Sequence, residues 1–393
     1  MKVREYIKNS WNLTKDESGF IPYPFVPPCA NGGFNVLYYW DTFFTNEGLI
    51  ADGRVEDARN NVNDLVHFLD KFGCVPNCTS DGGADYCSQP PFLYWMIARI
   101  NEAAYDEAWA VWAYGALERE YAFWMRERIT PCGLNRYGTN ATEEKRLCDY
   151  YSYVRRFRLP LDENAPVSTQ IKIAQGLIAE AESGEDYTPR FLHEADEYAP
   201  VDLNTHLYRV EAALADFYAD KDTGKSERYA RAAKERAEKM CALMRDEEGV
   251  FHDYRFTNNE RSRVYAAACF LPYIAGLADR GIETLMRKLD VGCGIAACED
   301  LGKAGFQWGY PRVWAPHQYF AVKALLACGK REEAKRIASA FAQSVREKFE
   351  KTGRLWEKYA PVWADENAEY PAHEMLGWTA GTYAVFYDFL KEN

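Results

Sequence analysis

Residues 328–345 read CGKREEAKRIASAFAQSV, and their apolar positions Ala334, Ile337, Ala338, Phe341, Ala342 and Val345 recur at i, i+3, i+4 and i+7. That spacing lays one apolar stripe along an α-helix, since successive side chains turn by about 100° around its axis. The link Cys328-Gly-Lys-Arg331 just ahead is short enough to require two antiparallel neighbouring helices. Outward from this stretch the pattern repeats. Leu207, Val210, Leu214, Phe217 and Tyr218 form a second stripe with Asp202 as N-cap, and Trp109, Trp112, Ala116, Leu117, Tyr121 and Trp124 form a third. Further helices are predicted near 54–72, 90–101, 170–182, 226–246, 264–278, 315–328 and 375–391. No series of alternating β-branched segments competes, so the chain reads as all-α.

The connections are unequal. Against the short links stand long ones rich in aromatics, Gly or Pro: 20–41, 73–91, 130–168, 249–263, 291–314 and 351–374. Long ordered loops in a compact domain usually carry function. A dozen helices alternating between short and long links predict a double ring of helical hairpins, an (α/α)6 toroid, with the long loops gathered at one mouth. No linker or composition shift divides the chain, so one domain is expected over 1–393. No fixed short repeat points to a solenoid.

The net charge of -12 argues against nucleic acid or an anionic membrane as partner. Aromatic residues make up 15% of the chain, with 11 Trp and 27 Tyr, more than a core needs. They predict a ring-lined cleft for a small carbohydrate, whose C–H faces pack on aromatics. The first residues lack the apolar core of a signal peptide and no stretch is long and apolar enough for a membrane span, which predicts a cytoplasmic address with reduced cysteines. Cys74, Cys78 and Cys87 share a loop without zinc-site spacing, so neither metal nor cofactor is expected. Gly292-Cys-Gly294-Ile-Ala-Ala297 imitates a dinucleotide fingerprint but has no βαβ unit around it. The six histidines are dispersed, which leaves carboxylate chemistry.

Carboxylates and amides concentrate beside tryptophans in three regions. The first is Tyr38-Tyr-Trp40-Asp41-Thr-Phe-Phe44, followed by Val75-Pro-Asn77 and Ser88-Gln89-Pro-Pro91. The second is Glu182-Ser-Gly184-Glu-Asp186-Tyr-Thr-Pro-Arg190. The third is Gln307-Trp308-Gly-Tyr-Pro-Arg312-Val-Trp314-Ala-Pro316, then Glu357-Lys-Tyr359, Glu369-Tyr-Pro371 and Gly377-Trp378-Thr379.

These segments, in this order over residues 31 to 380, resemble the trehalase family of glycoside hydrolases and its clan relatives, the processing α-glucosidases and mannosylglycerate hydrolases. The resemblance implies an (α/α)6 barrel and an exo-acting pocket that inverts the anomeric carbon. It makes Asp186 the general acid and Glu357 the general base, a pair that needs about 6.5–9.5 Å between carboxyls to admit water. Burial among rings such as Tyr187 and Trp308 would keep the acid protonated. Trp40, Asp41, Asn77, Gln89 and the Gly184 backbone would bind the terminal sugar, with Phe34, Tyr38, Gln307, Trp308, Trp314 and Glu369 completing the pocket.

The chain also departs from the family. Where trehalases carry two arginines it has Gly33 and Cys87, and an Arg-Pro-x-x-Glu-type segment is poorly kept around Thr142, Glu143 and Glu144. Arginine forks onto hydroxyls or carboxylates with fixed geometry, so its loss bears on substrate choice more than on chemistry. The expected activity is release of a hexose, glucose first, from a small α-glycoside such as trehalose. The alternatives are hydrolysis of a charged osmolyte such as glucosylglycerate or mannosylglycerate, with Arg312 or Arg190 as the cation, and an inactive sugar-binding protein on the same scaffold.

Overall fold

Fourteen α-helices order the described residues: α1 (Val3–Ser10), α2 (Tyr39–Ala51), α3 (Val55–Phe72), α4 (Leu93–Ala103), α5 (Glu107–Glu127), α6 (Glu144–Phe157), α7 (Val167–Glu182), α8 (Val201–Tyr218), α9 (Thr223–Leu243), α10 (Leu271–Ile274), α11 (Ile282–Leu289), α12 (Ala315–Ala327), α13 (Arg331–Thr352) and α14 (Gly377–Phe389). The computed structural model describes residues 2–29, 35–303, 305–364, 372–374 and 377–392. None of the described helices is long and apolar enough to cross a membrane.

Burial sorts the helices into two rings. In α2 every side chain from Tyr39 to Leu49 is buried, and α12 and α14 are nearly as enclosed, as helices without a polar face must be. Helix α2 packs on α4, α4 on α8, α8 on α10, α10 on α12, α12 on α14 and α14 back on α2, which closes an inner circle. Amphipathic helices cover it. Among them α13 buries Ala334, Ile337, Ala338, Phe341, Ala342, Val345 and Phe349, the stripe predicted from its sequence. The fold is the expected (α/α)6 toroid. The hairpin α6–α7 is inserted between α5 and α8 and packs its own apolar clusters around Tyr151, Ala174 and Ile178, and around Val154, Leu177 and Tyr187.

The ring shuts where α2 and α14 meet. A Cβ on Gly381 would stand 1.8 Å from the Phe44 carbonyl oxygen, and one on Gly48 would stand 2.8 Å from the Gly381 Cα. Only glycine lets two backbones approach this closely.

Several expectations are corrected. Helix α2 begins at Tyr39, so the Tyr-Tyr-Trp-Asp motif is a helix start rather than a loop. Helix α6 lies inside 130–168, which reads in the sequence as one long connection. The predicted helix at 264–278 is a 3-10 turn, Ala267–Phe270, leading into the short α10. Asp202 does not cap α8, which follows Pro200; its carboxylate lies in the first turn and pairs with Arg190 at 2.8 Å. That pair competes for the oxygens a cap would have used.

Candidate active site

The chain reaches the mouth of the ring at the C-terminal end of α7, where Glu182 acts as an anchor. Its buried carboxylate accepts from Arg128 Nε and Nη2, both at 2.8 Å, from the Ser88 backbone N–H at 2.9 Å and from the Gly138 N–H at 2.7 Å. One carboxylate thereby ties α7 to the loops at 88 and 138. Ser88 fixes Gln89, whose Oε1 accepts from the Trp40 N–H at 3.1 Å and satisfies a free donor at the start of α2.

Two residues past the anchor, Gly184 takes φ +78°, and a Cβ there would lie 2.8 Å from Trp40 Cε2. Gly184→Ala is expected to push Trp40 off its position and lower kcat/KM by about 10²-fold, as ångström-scale misplacement does. Steady-state kinetics beside a thermal unfolding curve checks this; a folded variant with full activity contradicts it.

Asp186 follows, half-buried, with Gln307 Nε2 at 3.2 Å and Trp308 Nε1 at 3.4 Å from its Oδ1. Burial raises its pKa above the ordinary carboxylate range, while the Trp308 hydrogen bond and the Arg158 charge pull it part of the way back. Trp308 therefore works against the proton that its bulk helps to keep.

Glu357 arrives from the far side of the mouth. The two-residue strand Val313–Trp314 pairs antiparallel with Lys358–Tyr359, which sets the 307–314 loop beside Glu357. Its Oε1 accepts from the His373 N–H at 2.8 Å, and its carbonyl accepts from Trp378 Nε1 at 2.9 Å.

Asp186 and Glu357 line one cavity of ≈ 300 Å³, the size that takes a small ligand. Tyr38, Trp40, Asp41, Asn77, Gln89, Gly184, Gln307 and Trp308 share its walls. Burial pushes the Asp41 carboxyl up to about 7, and the charges of Asp186 and Glu357 add to the rise. Trp40, Trp308 and Trp378 meet at ring centroid separations of 5.7 to 6.0 Å, forming an aromatic wall beside the carboxyls.

Other predicted residues stand elsewhere. Trp314 stacks behind Trp308, centroids 3.9 Å apart, and does not line the cavity, because its backbone pairs with Lys358 and then opens α12. Phe34 and Glu369, like Gly33, lie outside the described residues. Arg190 is buried between Asp202 and Asp253, and Arg312 is buried with Nη1 3.3 Å from the Tyr310 carbonyl; neither lines the cavity. Cys87 is buried and also absent from the wall. Sequence reasoning missed Arg158, Ala181 and His373 as wall residues, and quoted Trp378 without assigning it a role. Arg158 belongs to no motif, and the helix it ends reads as loop in the sequence.

Comparisons with known proteins bear on the family and the fold. A family model described as Trehalase matches residues 3–391. A periplasmic trehalase of Xanthomonas oryzae pv. oryzae (strain MAFF 311018) is 30% identical over 92% of this chain and 67% of its own length. A periplasmic trehalase of Pseudomonas aeruginosa is 29% identical over 92% of this chain and 70% of its own. Among solved structures, neutral trehalase Nth1 from Saccharomyces cerevisiae superposes with a TM-score of 0.77 at 24% identity, covering 99% of this chain and 80% of that one. A GH63 mannosylglycerate hydrolase from Thermus thermophilus superposes at 0.65 with 15% identity, covering 99% and 100%. These last two likenesses concern the fold.

The relatives overturn the expected cytoplasmic address, since those named above from sequence are periplasmic. The expectation rested on the composition of the first residues and on the lack of a long apolar stretch, neither of which is a property of the catalytic ring. From its family model, its relatives and its ring of helices, the chain belongs to the trehalase family of glycoside hydrolases.

Proposed function

We propose that the protein is an exo-acting, inverting α-glycosidase that releases glucose from α,α-trehalose. The observation that carries this reading is the ring-lined cavity walled by Asp186, whose half-buried carboxyl desolvation holds above the ordinary range, together with Glu357.

Asp186 gives its proton to the glycosidic oxygen as the C1–O bond breaks. Glu357 takes a proton from water as the water oxygen bonds to C1 on the opposite face. One turnover leaves Asp186 ionised and Glu357 protonated, and exchange with solvent resets both. Trp40 and Trp308 give the sugar's C–H face a platform, while Asp41, Asn77 and Gln89 offer polar atoms to its hydroxyls. Trp378 and the His373 backbone hold Glu357 against the cavity wall.

Proton NMR recorded during the first minutes of trehalose cleavage tests the reading. Inversion yields one β-glucose from the attacked ring and one α-glucose from the leaving ring. If only α-glucose forms at first, the mechanism retains configuration and the assignment of Glu357 as base falls.

A further inference from the structure

The acid protonates the leaving oxygen, so whatever stands beside Asp186 at the mouth stands beside the leaving group. Arg158, the residue that ends α6, occupies that place. It lines the same cavity, its charge acts on Asp186, and its guanidinium carbon lies 5.7 Å from the centre of the Tyr187 ring. Among the described residues no carboxylate forms an ion pair with it, in contrast to the buried Arg190 and Arg128.

A line of rings leads outward from this point along α6. Tyr150 is 5.3 Å from Tyr86 and 6.5 Å from Tyr153, and Tyr153 is 5.3 Å from Phe157, centroid to centroid. Positions 150, 153 and 157 share one helix face by their i, i+3 and i+7 spacing. The Tyr153 hydroxyl stands close enough to act on the Arg158 charge, and the Tyr153 and Phe157 side chains are 49% and 60% exposed. Exposed rings beside a guanidinium at the mouth of a cavity can pack on a ligand's C–H face while the fork takes its oxygens. A short acid would satisfy the guanidinium and leave the rings bare, whereas a sugar ring offers hydroxyls to the fork and C–H faces to the aromatics.

Resting on the function proposed above, we infer that Arg158 and Tyr153 form the subsite for the leaving group, built for a sugar ring rather than a short acidic aglycone. The α6–α7 hairpin thus supplies a guanidinium that Gly33 and Cys87 do not carry.

Wild type, Arg158→Ala, Arg158→Lys and Tyr153→Ala are assayed on trehalose, on glucosylglycerate and on α-glucosyl fluoride, whose fluoride makes no such contacts. With Arg158→Ala, kcat/KM on trehalose is expected to fall about 30-fold, the loss of hydrogen bonds to a charged group, and the fall on the fluoride to be at least about tenfold smaller. Arg158→Lys, which keeps charge without the fork, should fall between. Tyr153→Ala should lose several-fold, again on trehalose above all. Equal losses on trehalose and fluoride, or none on trehalose, overturn the subsite. Wild type preferring glucosylglycerate to trehalose overturns the sugar-ring assignment. If wild type leaves the fluoride untouched, the glucosidase reading itself fails, and that result is separate from any effect of the variants.

Discussion

Asp186→Asn should lower kcat on trehalose by about 10²- to 10⁴-fold, the range that a positioned general acid contributes. The variant should stay folded, because the amide oxygen of Asn can still accept from Gln307 Nε2 and Trp308 Nε1. The loss on α-glucosyl fluoride should be far smaller, since fluoride departs without needing a proton. Equal losses on the two substrates would deny Asp186 the role of acid. The pH profile gives a second reading. The folded-state pKa of Asp186 is raised, so the proton persists through the range where ordinary carboxyls have lost it, and activity is lost as pH rises through that pKa. The alkaline limb of the trehalose profile should therefore lie above the usual carboxylate range in wild type and vanish in the variant.

Glu357→Ala is expected to lose turnover by at least about 10³-fold on trehalose and on the fluoride alike, because water must be activated whichever group leaves. This common loss distinguishes the base from the acid. Removing the side chain also opens space on the attacking face, and azide, which needs no deprotonation, should restore part of the rate. The product then has to be β-glucosyl azide. Formation of the α-azide would place the attack on the other face and remove Glu357 from its role. The fold should survive, because Trp378 Nε1 binds the backbone carbonyl of residue 357 and not its carboxylate.

How much of this was legible beforehand depended on which physical signal each element carries. The outer helices show themselves because one face meets solvent, and α13 matches its predicted stripe residue for residue. Helix α2 has no polar face, so no period is present to read, and its aromatic run passes for a loop. Helix α6 buries little beyond Leu147, Tyr151 and Val154 among many charges, and Gly and Pro on either side outweigh that weak stripe. The motif carboxylates were readable by their flanking residues, and they do meet in one cavity. Glu182 reads in the sequence as part of a motif, whereas its place is that of an anchor for Arg128 and two backbone N–H groups. Trp314 was legible as a ring beside the site, but stacking order is a tertiary property that no local spacing encodes.

The glycine seam between α2 and α14 has a consequence for the life history of the molecule. Trp40 and Asp41 ride on α2 and Trp378 on α14, so the two helices that clasp backbone to backbone also wall the cavity. Contacts between distant parts of a chain form late, because the intervening loop must first be closed. A growing polypeptide that has not yet reached Glu357 and Trp378 lacks that wall of the cavity, and on the roles proposed above it is catalytically silent. Hydrolysis begins only when the clasp shuts, so the appearance of activity during refolding times the closure of the ring itself.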